Sequence, residues 1–270
     1  MEERLKIAIL NPAGNVTAVV LSAVAPARRA ALAEQLLALP ELHIEQAAFL
    51  VPPQSGGEIR LEMMGGEFCG NALRCAGFYQ ALRRGERGKC CIMAEISGAD
   101  GVLPVMVDVA QSVASTTMPL PVSVEALDWP EAPAHRVTFD GITHYVIDRV
   151  EPDNALVQRA IQDASASPAV GAIFLNRATG AIQPIVYVRQ TDSCVAETSC
   201  ASGSTAAAIV LSAELCDGIT EIGVGQPGGD LEVGVRKEAG RVTGLSIGGA
   251  VALVEIIELR IADAALTAEG

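Results

Sequence analysis

The chain has 270 residues, a formal net charge of −13, half its residues hydrophobic and only 3% aromatic. That length admits one large domain or two ordinary ones around an aliphatic, alanine-rich core. The acidic balance argues against a nucleic acid or an anionic membrane surface as partner, because both attract basic patches. No run approaches the ~20 apolar residues of a membrane span, and the N-terminus lacks a signal-peptide pattern. The seven cysteines, an odd number, read as free thiols of a cytoplasmic protein rather than a disulfide framework.

In chain order, residues 6–22 read as a strand, a Pro12-Ala13-Gly14-Asn15 turn and a second strand. Residues 26–39 have helical apolar periodicity, with Arg28, Arg29 and Glu34 on the solvent face. Strands are expected at 47–51 and 58–63 around the turn from Pro52 to Gly57. A helix follows at 72–83, then strands at 90–95 and 102–109 joined by Ser97-Gly98-Ala99-Asp100-Gly101. Residues 119–133 contain prolines at 119, 121, 130 and 133 and read as a linker. The pattern then restarts. Residues 136–147 are strand-like, 154–165 helical, 172–175 and 182–189 strand-like, and 205–215 helical. Strands are expected again at 221–224, 231–235, 244–247 and 252–261. This weak repeat predicts an α+β fold of two pseudo-symmetric lobes with the active site in the cleft between them. The N-terminal lobe is expected at 1–118, completed by the segment 262–270, and the C-terminal lobe at 125–261.

Two segments concentrate the chemistry: Gly65-Gly66-Glu67-Phe68-Cys69-Gly70-Asn71-Ala72 and Glu197-Thr198-Ser199-Cys200-Ala201-Ser202-Gly203-Ser204. Each sets one cysteine among small residues just before a helix. Free N–H groups and the helix dipole favour a thiolate there and can also hold a carboxylate. One thiolate and one thiol, on opposite faces of a substrate carbon, are what inversion of an α-stereocentre needs: one takes the proton and the other gives one. Such a site must also stabilise carbanion charge and exclude water.

Cofactor chemistry finds little support. Cys69/Cys75 and Cys194/Cys200 are each six apart and the three histidines lie elsewhere, so a metal site is not expected. Pyridoxal phosphate needs a Schiff-base lysine, and neither Lys6, Lys89 nor Lys237 sits in such a motif. Cys75, Cys90, Cys91 and Cys216 read as inert, buried small hydrophobes, as does Cys194 with less contrast to its alternative near the site.

These residues resemble the diaminopimelate epimerase family of cofactor-independent amino-acid racemases. Gly14-Asn15, Cys69-Gly70-Asn71-Ala72-x-Arg74-Cys75, Glu197-Thr198 with Cys200 and Gly203, and Gln226-Pro227-Gly228-Gly229-x-Leu231-Glu232-Val233 match its segments in order. The resemblance implies lobes that each wrap a curved sheet around a central helix. It implies Cys69 and Cys200 as the acid–base pair, and Gly70, Asn71, Ala201 and Ser202 as backbone donors to the substrate α-carboxylate. Asn15 and Glu197 stand at family substrate-binding positions. A small-molecule amino acid is the expected partner, no cofactor is expected, and a homodimer is left open.

The departures concern the second amino-acid head of diaminopimelate. Ile142 replaces an asparagine, another is absent near 171–174, and Thr191-Asp192-Ser193-Cys194-Val195-Ala196 lacks the family's Glu-Arg. The lead into Cys69 lacks Asn-x-Asp-Gly. A second carboxylate and ammonium would be stranded there. The pattern around Gly-Gly-Glu-Phe-Cys-Gly-Asn-Ala is similar to the family's histidine racemases, which feed opine-type metal chelators. Glu45 is the candidate reader of an imidazole N–H, against the alternative of an exposed strand residue. His144 is expected to be structural. The competing readings are a diaminopimelate epimerase with an altered pocket and a non-catalytic amino-acid-binding or thiol redox-sensing protein. A phenazine-type isomerase would share the lobes without the paired cysteines.

Overall fold

The computed structural model describes residues 2–262. Within it, two compact units divide the chain: residues 117–248 form one, and the segments on either side form the other. Among the described residues no helix is long and apolar enough to cross a membrane.

The first unit begins with β1 (Glu2–Asn11) and β2 (Thr17–Val20), paired antiparallel. Successive side chains of a strand face opposite ways, and both faces of β1 are used. Leu5, Ile7 and Ile9 pack in one apolar cluster with α1 (Pro26–Leu37), through its buried Leu32, Ala33 and Leu36. Ala8 and Leu10 belong to a second cluster around α2 (Gly70–Arg83). Pro26 opens α1, where its missing N–H costs nothing and its fixed φ suits the first turn. β3 (Gln46–Val51) runs parallel to β2 after the α1 crossover. β5 (Lys89–Ile96) runs parallel to β4 (Ile59–Met63) after the α2 crossover. β6 (Leu103–Asp108) and β7 (Val113–Thr117) follow by antiparallel pairing.

The strand order in this unit is β7-β6-β5-β4-β3-β2-β1, with β17 (Ala252–Ala262) antiparallel to β1 at the far edge. The last strand therefore belongs with the N-terminal half and not with the 125–261 lobe to which sequence order assigned it. The 262–270 segment, apart from Ala262, lies outside the described residues. Helix α2 is buried on all sides, from Gly70 through Tyr79 and at Ala81. Its apolar side chains are mostly Ala, Leu, Cys and Phe, with no polar stripe, which is the signature of a core helix.

The second unit holds β8 (Ser123–Leu127), β9 (Ala134–Phe139), β10 (Ile142–Asp148), α3 (Asn154–Asp163), β11 (Ala169–Asn176), β12 (Ala181–Val188) and β13 (Ser193–Ala196). The strands form one sheet in the order β13-β12-β11-β10-β9-β8, with β10 and β11 parallel across α3. Asp153 caps α3 by accepting from the Ala155 N–H at 2.9 Å. Helix α4 (Ala201–Leu211) and the antiparallel run β14 (Gly218–Gln226), β15 (Gly229–Glu238) and β16 (Arg241–Ala250) complete it. Like α2, α4 is buried along nearly its whole length.

Three sequence expectations are corrected here. The 119–133 stretch is structural: it contains β8, paired with β9, and Trp129, which stacks on Tyr145 at 5.3 Å and lies under the Arg159 guanidinium. The 136–147 stretch is a hairpin, turning at Asp140 and Gly141, where Gly141 takes φ 82°. Cys91, Cys194 and Cys216 are exposed rather than buried, because they lie on β5, on the four-residue β13 and just beyond α4; Cys90 is only half-buried.

Candidate active site

Cys69 is the N-cap of α2, with φ −135° and ψ 113°. An extended residue at this position leaves the first-turn N–H groups without intrahelical partners, and the Ala72 N–H points to Cys69 Sγ at 3.5 Å. The approach to the cap is held from below. Ser97 Oγ accepts from the Met63 N–H at 2.8 Å and donates to the Glu67 carbonyl at 3.0 Å. Gly98, at φ 71°, lies so close beneath this segment that a Cβ would come within 2.2 Å of the Phe68 nitrogen. Only glycine fits there.

The Cys69 thiol donates to Gln46 Oε1 at 3.2 Å, and Gln46 Nε2 donates to Thr17 Oγ1 at 2.7 Å. Thr17 in turn donates to the Asn15 carbonyl at 3.0 Å. Asn15 is buried, in a turn where Ala13, Gly14 and Asn15 all take positive φ (63°, 87° and 53°). Neighbouring Pro12 gives its carbonyl to Arg74 Nη2 at 2.8 Å, and Arg74 also holds Asn71 Oδ1 at 3.1 Å. Arg74 is fully buried, and its Nε and Nη1 have no hydrogen-bond partner. Burial lowers its guanidinium to about 10.

Cys200 is the N-cap of α4 in nearly the same conformation, φ −122° and ψ 105°. Its N–H donates to Gln226 Oε1 at 2.6 Å, while Gln226 Nε2 donates to Ser199 Oγ at 3.3 Å. The turn after β14 is bound to the same segment, the Gly228 N–H donating to the Thr198 carbonyl at 2.8 Å. Gly203 is required on the helix: a Cβ would meet Ile173 Cδ1 at 2.7 Å and Cys200 Sγ at 3.2 Å. Ser202 Oγ lies 3.7 Å from Cys200 Sγ and 2.9 Å from His144 Nε2.

His144 is fully buried, its ring filling the space that a side chain at 171 would need, 2.1 Å from an added Cβ there. Burial pushes its imidazole down to about 3, so it is neutral. Its Nδ1 is buried without a partner. A proton on Nδ1 would be a stranded donor, so the tautomer carries it on Nε2 and donates to Ser202 Oγ. The Ser202 hydrogen is then left for Cys200 Sγ.

Neither thiol is lowered, contrary to the expectation from the helix N-termini alone. Desolvation pushes Cys69 up to about 11, over the pull of the Ala72 and Asn71 N–H groups, and the nearby Glu67 charge adds to it. Desolvation also raises Cys200. The Glu197 carboxylate, hydrogen-bonded to the thiol, raises it further, while the Gly203 N–H and Ser202 pull down. In these sites the loss of water outweighs two or three amide donors.

The expected residues therefore gather in two local constellations. Gly70 and Asn71 follow Cys69 in the first turn of α2, with Asn15 linked to it through Thr17 and Gln46, and Ala201 and Ser202 follow Cys200, whose thiol the Glu197 carboxylate contacts. Glu45 stands just before β3, half-buried, its N–H on the Val16 carbonyl. The next residue, Gln46, accepts from the Cys69 thiol. Sequence reasoning missed Gln46 and Thr17, and it quoted Gln226 only as part of a turn motif. Lys237, considered for a Schiff base, instead gives its Nζ to the Ser212, Ala213 and Leu215 carbonyls at 2.8–3.0 Å, closing the C-terminal end of α4. Among the described residues no His, Cys, Asp and Glu side chains cluster in a way that could hold a metal ion.

The chain thus carries two crossover units and two core helices, each capped by a cysteine. The fold is similar to that of a probable proline racemase from Agrobacterium radiobacter K84, with a TM-score of 0.68 at 14% identity, covering 94% of this chain and 92% of that one. The family model described as the histidine racemase CntK N-terminal domain matches residues 4–256. A histidine racemase of Fusobacterium nucleatum subsp. nucleatum is 31% identical over 83% of this chain and 86% of its own length. Another, from Staphylococcus aureus strain Mu50, is 25% identical over 83% and 85%. The protein is an isomerase that racemises an amino acid. It belongs to the histidine racemase family.

Proposed function

We propose that the chain interconverts L- and D-histidine without a cofactor, using Cys69 and Cys200 as the acid–base pair. The observation that carries this reading is the matched capping: each cysteine takes the same extended N-cap conformation on a buried helix. One thiolate removes the proton from the substrate α-carbon. The other, as a thiol, delivers its proton to the opposite face, and the two cysteines leave the cycle with protonation states exchanged. The α-carboxylate takes N–H groups of the first turns, at Gly70, Asn71, Ala201 and Ser202, where developing negative charge is also stabilised. Asn15 lines the substrate on the Cys69 side.

Glu197 gives this scheme a trigger. Desolvation first, and the Glu197 carboxylate after it, hold Cys200 protonated. The α-ammonium of a bound amino acid pairs with Glu197 and cancels that charge, so substrate binding removes one of the two causes that oppose the thiolate.

Histidine is supported by the named activity of the relatives and by the loss of polar groups for a second amino-acid head. Ile142 is apolar, and His144 leaves no room for an asparagine at 171. Glu45 reads the imidazole, and the D-histidine formed supplies an opine-type metal chelator. The test is a substrate panel. Histidine should be turned over far better than diaminopimelate, by a factor on the order of 10⁴, and Glu45→Ala should impair histidine more than alanine. Equal turnover of diaminopimelate, or no effect at Glu45, refutes the substrate assignment.

A further inference from the structure

We propose that Gln46 is a positioning residue that holds Cys69 as the thiol in the resting enzyme, so that a turnover starting from that form uses Cys69 as the acid and Cys200 as the base, the roles exchanging in the reverse direction. The proposal rests on the two-cysteine reading above.

The direction of the Gln46 amide is fixed by its far end. Thr17 has one hydroxyl hydrogen, and it is given to the Asn15 carbonyl at 3.0 Å. Thr17 can therefore only accept from Gln46, which places Nε2 on Thr17 at 2.7 Å and Oε1 on the sulfur at 3.2 Å. An amide oxygen accepts from a thiol but repels a thiolate. Turning the amide over to present N–H to a thiolate requires Thr17 to release Asn15 and donate to Gln46 instead. Thr17 is fully buried and Asn15 nearly so, so no water replaces the bond that is lost. The backbone at Asn15 is itself held in a left-handed turn.

Cys200 faces the opposite arrangement. Gln226 is spent on the Cys200 N–H and not on the sulfur. The group at the sulfur is the Ser202 hydroxyl, whose oxygen is already taken by His144 Nε2–H, leaving it a donor. Once an α-ammonium has neutralised Glu197, the hydrogen-bond partners left at Cys200, the Gly203 N–H and the Ser202 hydroxyl, favour an anion against its burial. The two thiols are thus not equivalent, although both sit at helix N-caps of similar backbone conformation.

The test is the pH profile of Cys69 alkylation by iodoacetamide in the full-length enzyme, read by peptide mapping. Cleavage after Arg60 and Arg74 separates the Cys69 peptide from Cys75. Of the other ionisable groups near the sulfur, Glu67 and Arg74 are unchanged in every variant, while Cys75, which also hydrogen-bonds Thr17, loses that contact in Thr17→Val and keeps it in Gln46→Glu. Thr17→Val removes the acceptor that orients the amide, so Gln46 turns its N–H to the sulfur. Alkylation should become roughly tenfold faster below the midpoint, a shift of about one pKa unit. Thr17→Ser keeps the hydroxyl and should restore the wild-type profile. Gln46→Glu puts a carboxylate at the sulfur and should slow alkylation by a similar factor. Opposite shifts in Thr17→Val and Gln46→Glu establish the role. Unmoved profiles, or shifts of the same sign, overturn it. Racemisation by Cys69→Ser would instead overturn the two-cysteine reading, and it is read in a separate assay.

Discussion

At the residue scale, each candidate thiol is set between amide donors that favour its anion and a loss of water that opposes it. For Cys69 the opposition wins, to about 11. A raised thiol pKa means the reactive anion is scarce below that value and grows as pH rises. Cys69 should therefore react with iodoacetamide near pH 7.5 more slowly than exposed Cys91, and its rate should climb about tenfold per pH unit through the alkaline range. A Cys69 that alkylates fastest of the seven near neutrality would contradict this. The cysteines themselves were legible in the sequence because a small-residue cap before an alanine-rich helix is a local pattern. Gln46 was not, because its partner is 23 positions away, and glutamine at a strand start has no distinctive local signal. The pKa direction was also hidden: the helix end is visible in sequence, but the depth of burial around it is a tertiary property.

At the element scale, α4 is a helix whose ends are both held by distant residues. Gln226 holds the Cys200 N–H at its start, and Lys237 satisfies three carbonyls past its C-terminal end. A cation there also complements the helix dipole. Lys237→Met should lower unfolding free energy by about 2–3 kcal/mol, since it strands buried carbonyls that accepted from a charged donor. Urea denaturation measures this, and a change under about 0.5 kcal/mol would contradict the assignment. The helices and most strands follow from apolar periodicity. The missed β8 and β13 share one cause. β8 and β13 are the two edge strands of their sheet, short and largely exposed or half-buried, so they lack the alternation that marks a strand. Prolines flank β8 but do not enter it, which suits an edge and looks like a linker from sequence.

At the scale of the whole molecule, acid sensitivity has an identifiable source in the first unit. Glu95 is buried and accepts from the Gln54, Ser55 and Gly57 N–H groups, each at 2.8 Å, with Arg60 beside it. These donors, with Arg60, overcome the burial penalty and hold its carboxyl at about 2. A carboxylate lowered on folding adds stability above its unfolded value near 4.5, and that contribution is lost as pH falls from there to about 2. Glu95→Gln should melt well below wild type at pH 7, with the gap closing toward pH 3; a gap independent of pH would exclude this role. The family resemblance was legible because four motifs keep their order along the chain, whereas the place of β17 beside β1 was not, because sequence order says nothing about which edge a terminal strand joins.

The central claim is that two thiols exchange the α-proton of a free amino acid. Incubating L-histidine with the enzyme in D2O, and following both the α-proton signal and the optical activity, tests it most directly. Wild type should lose the α-proton signal as D-histidine appears, and Cys69→Ser and Cys200→Ser should each lower racemisation by about 10²–10⁴-fold. Wild-type rates in either serine variant, or no solvent deuterium at the α-carbon, would contradict the account.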